Sequence, residues 1–128
     1  MLKTTQIKEK KEFDLKEAFV LWKNVAKSGK EYLSGFVNAD ETFRLIAYFN
    51  TDKKNPKEPD IRVYQSIKKE DGTYTKSEKE VASLWVNTDK NDKKYVTGST
   101  DEHEKLVGWF GLENQEMRPF IRCYYENN

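Results

Sequence analysis

The sequence predicts an all-β fold: two tandem four-stranded antiparallel meanders, packed with pseudo-two-fold symmetry as a small barrel or sandwich. Three observations lead there. The two halves of the chain match one another, each half contains four short runs rich in β-branched and aromatic residues, and turn-forming residues separate those runs.

The match is direct. LWKNVAKSGKEYLSG at 21–35 aligns at an offset of 63 with LWVNTDKNDKKYVTG at 84–98, with seven of fifteen positions identical. Chance at average residue usage gives about one. The identities are Leu21/Leu84, Trp22/Trp85, Asn24/Asn87, Lys27/Lys90, Lys30/Lys93, Tyr32/Tyr95 and Gly35/Gly98. Further on, LIAYF at 45–49 lies over LVGWF at 106–110, and PDIRVY at 59–64 over PFIRCY at 119–124. The length changes fall between the apolar blocks, where surface loops absorb them. The chain therefore divides into an arm at 1–15, a first repeat at 16–67, a hairpin link at 68–78 and a second repeat at 79–128, all in one compact body.

Taken in order, AFVLWKNV, EYLSGFV, FRLIAYF and IRVYQSI are the strands of the first copy. VASLWVN, KYVTG, KLVGWF and FIRCYYE are those of the second. Ser28-Gly29 and Asn91-Asp92 hold the same place in each copy and tolerate the positive φ of a tight hairpin. Asp71-Gly72 sits between two strand-compatible runs and makes the link a β-ribbon. The arm alternates Lys and Glu, which suits a solvated extension or short helix.

Alternation assigns the faces. Phe43, Leu45, Ala47, Phe49, Ile61 and Val63 share one face, with Leu106, Gly108, Phe110, Ile121 and Cys123 as counterparts, and these supply the inner layer. Cys123 replaces Val63 and reads as a small buried hydrophobe. Trp22 and Trp85 read as core residues, because indole buries a large area. About fifty residues cannot bury enough surface alone, so each copy is expected to pack against the other.

The opposite face carries Tyr48, Arg62 and Tyr64 in one copy and Trp109, Arg122 and Tyr124 in the other. Arg beside aromatics on a sheet face suits either an anchor cluster for another protein or a stacking platform for bases. The alternative is that the two copies, or two chains, cover each other with this face. Lys30 and Lys93 flank the first hairpin of each copy and join the list of binding candidates, beside the simpler reading of a solvated turn.

Composition narrows the functional classes. With 23 basic and 22 acidic side chains the net charge is +1, which removes the simplest argument for a nucleic-acid partner. Seventeen aromatics among 128 residues rule out a disordered chain. One cysteine allows no intramolecular disulfide, and the opening residues lack the apolar core of a secretory signal, which fits a reducing cytoplasm. No apolar run reaches the roughly 18–20 residues of a spanning helix, so no membrane partner is expected.

Enzymatic chemistry finds little footing. His103, the only histidine, lies in the polar stretch STDEHEK and reads as a solvated loop residue. One His and one Cys cannot make a structural zinc site, and the acidic loops lack the spacing of a calcium loop. No cofactor and no catalytic residue are expected.

The run LWKNVAKSGKEYLSG, followed by a hydrophobic strand, a Lys- and Pro-containing loop and PDIRVY, resembles a group of uncharacterised small proteins of bacterial phages, plasmids and other mobile elements. Here the unit occurs twice, and the second copy carries Pro119-Phe120 where the first has Pro59-Asp60. The resemblance implies a mobile-element setting and a small β fold, with no reaction or catalytic residue attached. The leading expectation is a non-enzymatic protein-binding module acting on host or element machinery, an inhibitor of a bacterial defence system being one form of it. The second is a single-stranded nucleic-acid binder that uses the Arg and aromatic faces. Oligomeric state is left open.

Overall fold

The computed structural model describes residues 15–111 and 119–126, so the proposed arm at 1–15 lies outside the described residues except for Leu15. Eight strands follow in chain order: β1 (Glu17–Val25), β2 (Glu31–Val37), β3 (Asp40–Phe49), β4 (Ile61–Lys68), β5 (Tyr74–Thr88), β6 (Lys94–Thr100), β7 (Lys105–Phe110) and β8 (Ile121–Tyr125). Each pairs antiparallel with its chain neighbour, and β8 returns to β1, closing a barrel.

The closure decides between the two packings the sequence allowed. The halves do not stack face to face. They join edge to edge at two hydrogen-bonded seams, β4 with β5 and β8 with β1. Closure gives every strand two partners and abolishes the open edges a stacked pair of meanders would leave. Irregularities in register at Glu17/Phe19, Phe36/Val37 and around Tyr64 supply local bends that help a short sheet curl on itself.

An eight-stranded barrel has an interior about wide enough to be filled by side chains. Leu21, Leu33, Leu45, Ile61, Val63, Leu84, Val96, Leu106, Ile121 and Cys123 fill it, each almost wholly buried. Phe43, Phe49 and Phe110 pack against this core from its margins. Burial pushes the Cys123 thiol well above its ordinary value, consistent with a sulfur that serves as a hydrophobe.

The turns follow the local chemistry. Gly29 has φ +90° and Asp92 has φ 62° at matching points of the β1–β2 and β5–β6 hairpins. Ala26 and Lys30 close the first turn, as Asp89 and Lys93 close the second. In the β4–β5 turn Gly72 has φ +90°, and Asp71 accepts from the Thr73 amide at 2.9 Å. The second arm of that hairpin runs without a break into β5, which is why β5 is 15 residues long. His103, with φ 69°, is exposed in the β6–β7 turn.

One expectation is overturned. Trp22 and Trp85 are outside the core, because Leu21 and Leu84 take the inward positions and alternation turns the indoles outward. Trp22 packs on Phe36 with ring centres 5.5 Å apart, and Trp85 donates its Nε1–H to the Lys57 carbonyl at 2.9 Å. Trp85 thus holds the β3–β4 loop. Among the described residues no helix is long and apolar enough to cross a membrane.

Candidate functional site

With the interior filled, the outer wall and the barrel ends are what the molecule offers. Antiparallel register builds two similar clusters on the wall. Tyr48 stands opposite Arg62, and Ile46 opposite Tyr64, on β3 and β4. On β7 and β8, Trp109 stands opposite Arg122 and Val107 opposite Tyr124. The rings meet in each case: Tyr48 and Tyr64 at 6.2 Å, Trp109 and Tyr124 at 5.6 Å. Lys76 places its ammonium 4.3 Å from the Tyr64 ring centre.

The sequence offered mutual cover between the copies as an alternative for these faces, and the barrel overturns it. β3–β4 and β7–β8 are four strands apart in a ring of eight, so the clusters look outward from opposite sides. All four rings are half-buried. Lys30 and Lys93 lie in the β1–β2 and β5–β6 turns, on different hairpins from either cluster.

The arginines have carboxylate partners that sequence reasoning did not single out. Arg62 Nη1 donates to Glu80 Oε1, and its Nη2 lies 3.3 Å from Glu58. Arg122 Nη1 donates to Glu17 Oε1 at 3.0 Å. Glu17 and Glu80 are themselves related by the offset of 63, within the matching pairs Lys16-Glu17 and Lys79-Glu80. Each arginine therefore reaches across a seam to the other half. The bond to Glu80 raises the Arg62 guanidinium above its ordinary value, against the opposing effect of burial. Burial raises the Tyr64 phenol, and the Glu80 charge adds to the effect.

The retained Trp-x-Asn pattern is also structural. Asn24 Nδ2 donates to the Trp22 carbonyl at 3.1 Å and to Ser34 Oγ at 2.7 Å. Asn87 repeats this with the Trp85 carbonyl at 3.2 Å and Thr97 Oγ1 at 2.9 Å. Each asparagine ties the first two strands of its half together on the outer wall.

A second feature lies at the barrel end that carries the β1–β2 turn. A cleft of about 310 Å³ is lined by Lys23, Lys30, Glu31, Phe49, Thr51 and Phe120. Its aromatic members are Phe49 at the end of β3 and Phe120 just before β8, and only Lys30 was legible beforehand as a candidate. Among the described residues no three His, Cys, Asp or Glu side chains gather in a way that suits a metal ion.

Comparison with protein-family models, curated proteins and solved structures gives no match for this chain.

Proposed function

We propose that this chain is a non-enzymatic protein-binding module, a barrel of two copies of one four-stranded unit related by a pseudo-two-fold axis, presenting an aromatic cluster on each side. The observation that carries the reading is the ion pairing of Arg62 and Arg122. A phosphate backbone is held chiefly by cationic side chains. Here the two arginines are held by Glu80, Glu58 and Glu17, and the net charge is +1. What remains on offer is ring surface with a neutralised rim, the composition of a protein interface centre.

The pseudo-symmetry is supported by equivalent registers. Leu21 opposes Gly35 as Leu84 opposes Gly98, and Ala47 opposes Val63 as Gly108 opposes Cys123. Two like surfaces on opposite sides suit bivalent or symmetric contact. As the target we propose cytoplasmic host or element machinery, inhibition of a bacterial defence system being one form.

The test uses the duplication. Capture of partners from a bacterial host lysate, with and without nuclease, is compared for the wild type, for Arg62→Ala with Tyr64→Ala, for Arg122→Ala with Tyr124→Ala, and for all four together. One altered pair is expected to weaken capture and both to abolish it, with modest salt dependence and no effect of nuclease. Loss of capture on nuclease treatment, with affinity falling steeply in salt, would instead identify a single-stranded nucleic-acid binder.

A further inference from the structure

We infer that the cleft between the β1–β2 hairpin and Phe120 receives one aromatic side chain of an acidic segment of the partner. The inference rests on the protein-binding reading and deepens it. Phe120 forms the floor: its ring packs edge-on against Phe110 at 5.2 Å and Phe49 at 6.4 Å. Ring edges and faces held in this way favour another aromatic over an aliphatic chain. The volume, about 310 Å³, is at the low end for ligand clefts and suits one large side chain with its flanking backbone.

Charge sets the rest of the specificity. Lys23 Nζ lies 5.2 Å from the Phe120 ring centre and 3.1 Å from Glu31 Oε2. The Glu31 charge is thereby engaged. Among the described residues Lys30 forms no ion pair, so the lining keeps an excess of positive charge beside the rings. A carboxylate adjoining the inserted ring complements it.

Lys23, Glu31 and Phe120, which line the cleft, are not repeated in the other half. Phe120 and Asp60 hold equivalent places: the Phe120 amide donates to the Leu21 carbonyl at 2.8 Å and the Asp60 amide to the Leu84 carbonyl at 2.9 Å. Asp60 then satisfies its own surroundings, accepting from the Val86 amide at 2.7 Å and pairing with Lys53 at 2.7 Å. Lys23 and Glu31 stand where the offset of 63 puts Val86 and Lys94 in the second half. The outer clusters come twice, whereas Phe120, Lys23 and Glu31 of this cleft have Asp60, Val86 and Lys94 at the equivalent positions, and that difference gives the module one orientation on its target.

The experiment titrates the full chain, followed by backbone amide NMR, with acetyl-Glu-Trp-Glu-amide, its Gln-Trp-Gln and Glu-Ala-Glu counterparts, and a thymidine dinucleotide. Saturable shifts at Lys23, Lys30, Glu31, Thr51 and Phe120, with one peptide per chain, are expected for the acidic aromatic peptide alone. Lys30→Glu and Phe120→Asp are each expected to weaken it by about tenfold or more, the effect of losing an anchor contact. Lys90→Gln in the opposite hairpin is expected to leave it unchanged. Lys30→Glu lies in an exposed turn and keeps the test valid should Phe120→Asp fail to fold. Equal binding of the Ala or Gln peptides, binding of the dinucleotide alone, or no saturable shift at these residues would overturn the inference. A partner captured equally well by Lys30→Glu would overturn it while leaving the protein-binding reading standing.

Discussion

Arg122 and Glu17, 105 residues apart in the chain, meet at 3.0 Å where β8 closes onto β1. The same contact between Arg62 and Glu80 spans the β4–β5 seam, so one residue pair serves both joints of the barrel. The side chains stay partly exposed, 49% for Arg122 and 29% for Glu17, so water screens the attraction. Replacing Glu17 and Arg122 by Gln, singly and together, is expected to give a coupling below about 1 kcal/mol in a double-mutant cycle read from denaturant melts. A much larger coupling would make the pair a principal source of closure.

Two glycines are required by close approach. A Cβ built on Gly35 falls 1.8 Å from the Val20 carbonyl oxygen, and one on Gly98 falls 1.9 Å from that of Ser83. Backbone in a paired strand has little room to retreat. Gly35→Ala and Gly98→Ala are each expected to destabilise the fold by about 3 kcal/mol or more, the upper part of the overpacking range, as measured by chemical denaturation. A shift under about 0.5 kcal/mol, ordinary for surface sites, would show that the strands separate easily.

Cys123 points into the filled interior with its thiol raised by burial. Attack on a thiol reagent needs an exposed thiolate. Labelling of the native protein is expected to be slow and to follow unfolding, becoming rapid in concentrated guanidinium. Fast labelling of the native state would place the sulfur outside.

Asp60 links stability to pH. Burial acts to raise its carboxyl, but the Lys53 ammonium and the Val86 amide outweigh that and hold it below its ordinary value. A carboxyl lower in the folded than in the unfolded chain adds stability above the unfolded value, about 3.9, and loses it as pH falls through the folded one. Asp60→Asn is therefore expected to be less stable than the wild type at neutral pH, with the difference shrinking under acid through that range. A difference independent of pH would assign the effect to shape alone.

Trp85 anchors the β3–β4 loop through the Lys57 carbonyl. Trp85→Phe keeps a ring but removes the donor, and faster proteolysis at residues 51–58 is the expected result, with the barrel melt changed by about 1 kcal/mol or less.

Much of this was legible in the residues. The offset of 63 and the alternation of Leu45, Ala47, Ile61 and Val63 determined the strand order, the inward face and the buried Cys123, because side-chain direction in a strand has a period of two. Local turn chemistry determined the hairpins at Gly29, Gly72 and Asp92. Alternation also placed Tyr48, Arg62, Tyr64, Trp109, Arg122 and Tyr124 together on the outer side. It places Trp22 and Trp85 there as well, a conclusion that the size of indole obscured.

Only the tertiary structure decided the rest. Whether eight antiparallel strands stack as two layers or close into one ring depends on sheet curvature and on pairing between distant strands, which no local pattern encodes. Closure into one ring set the two Arg clusters on opposite sides and brought Glu17 to Arg122, while the β4–β5 hairpin brought Glu80 to Arg62. The same closure gathered Lys23 of β1, Phe49 at the end of β3 and Phe120 just before β8 around a cleft, with Phe120 standing where the first half has Asp60.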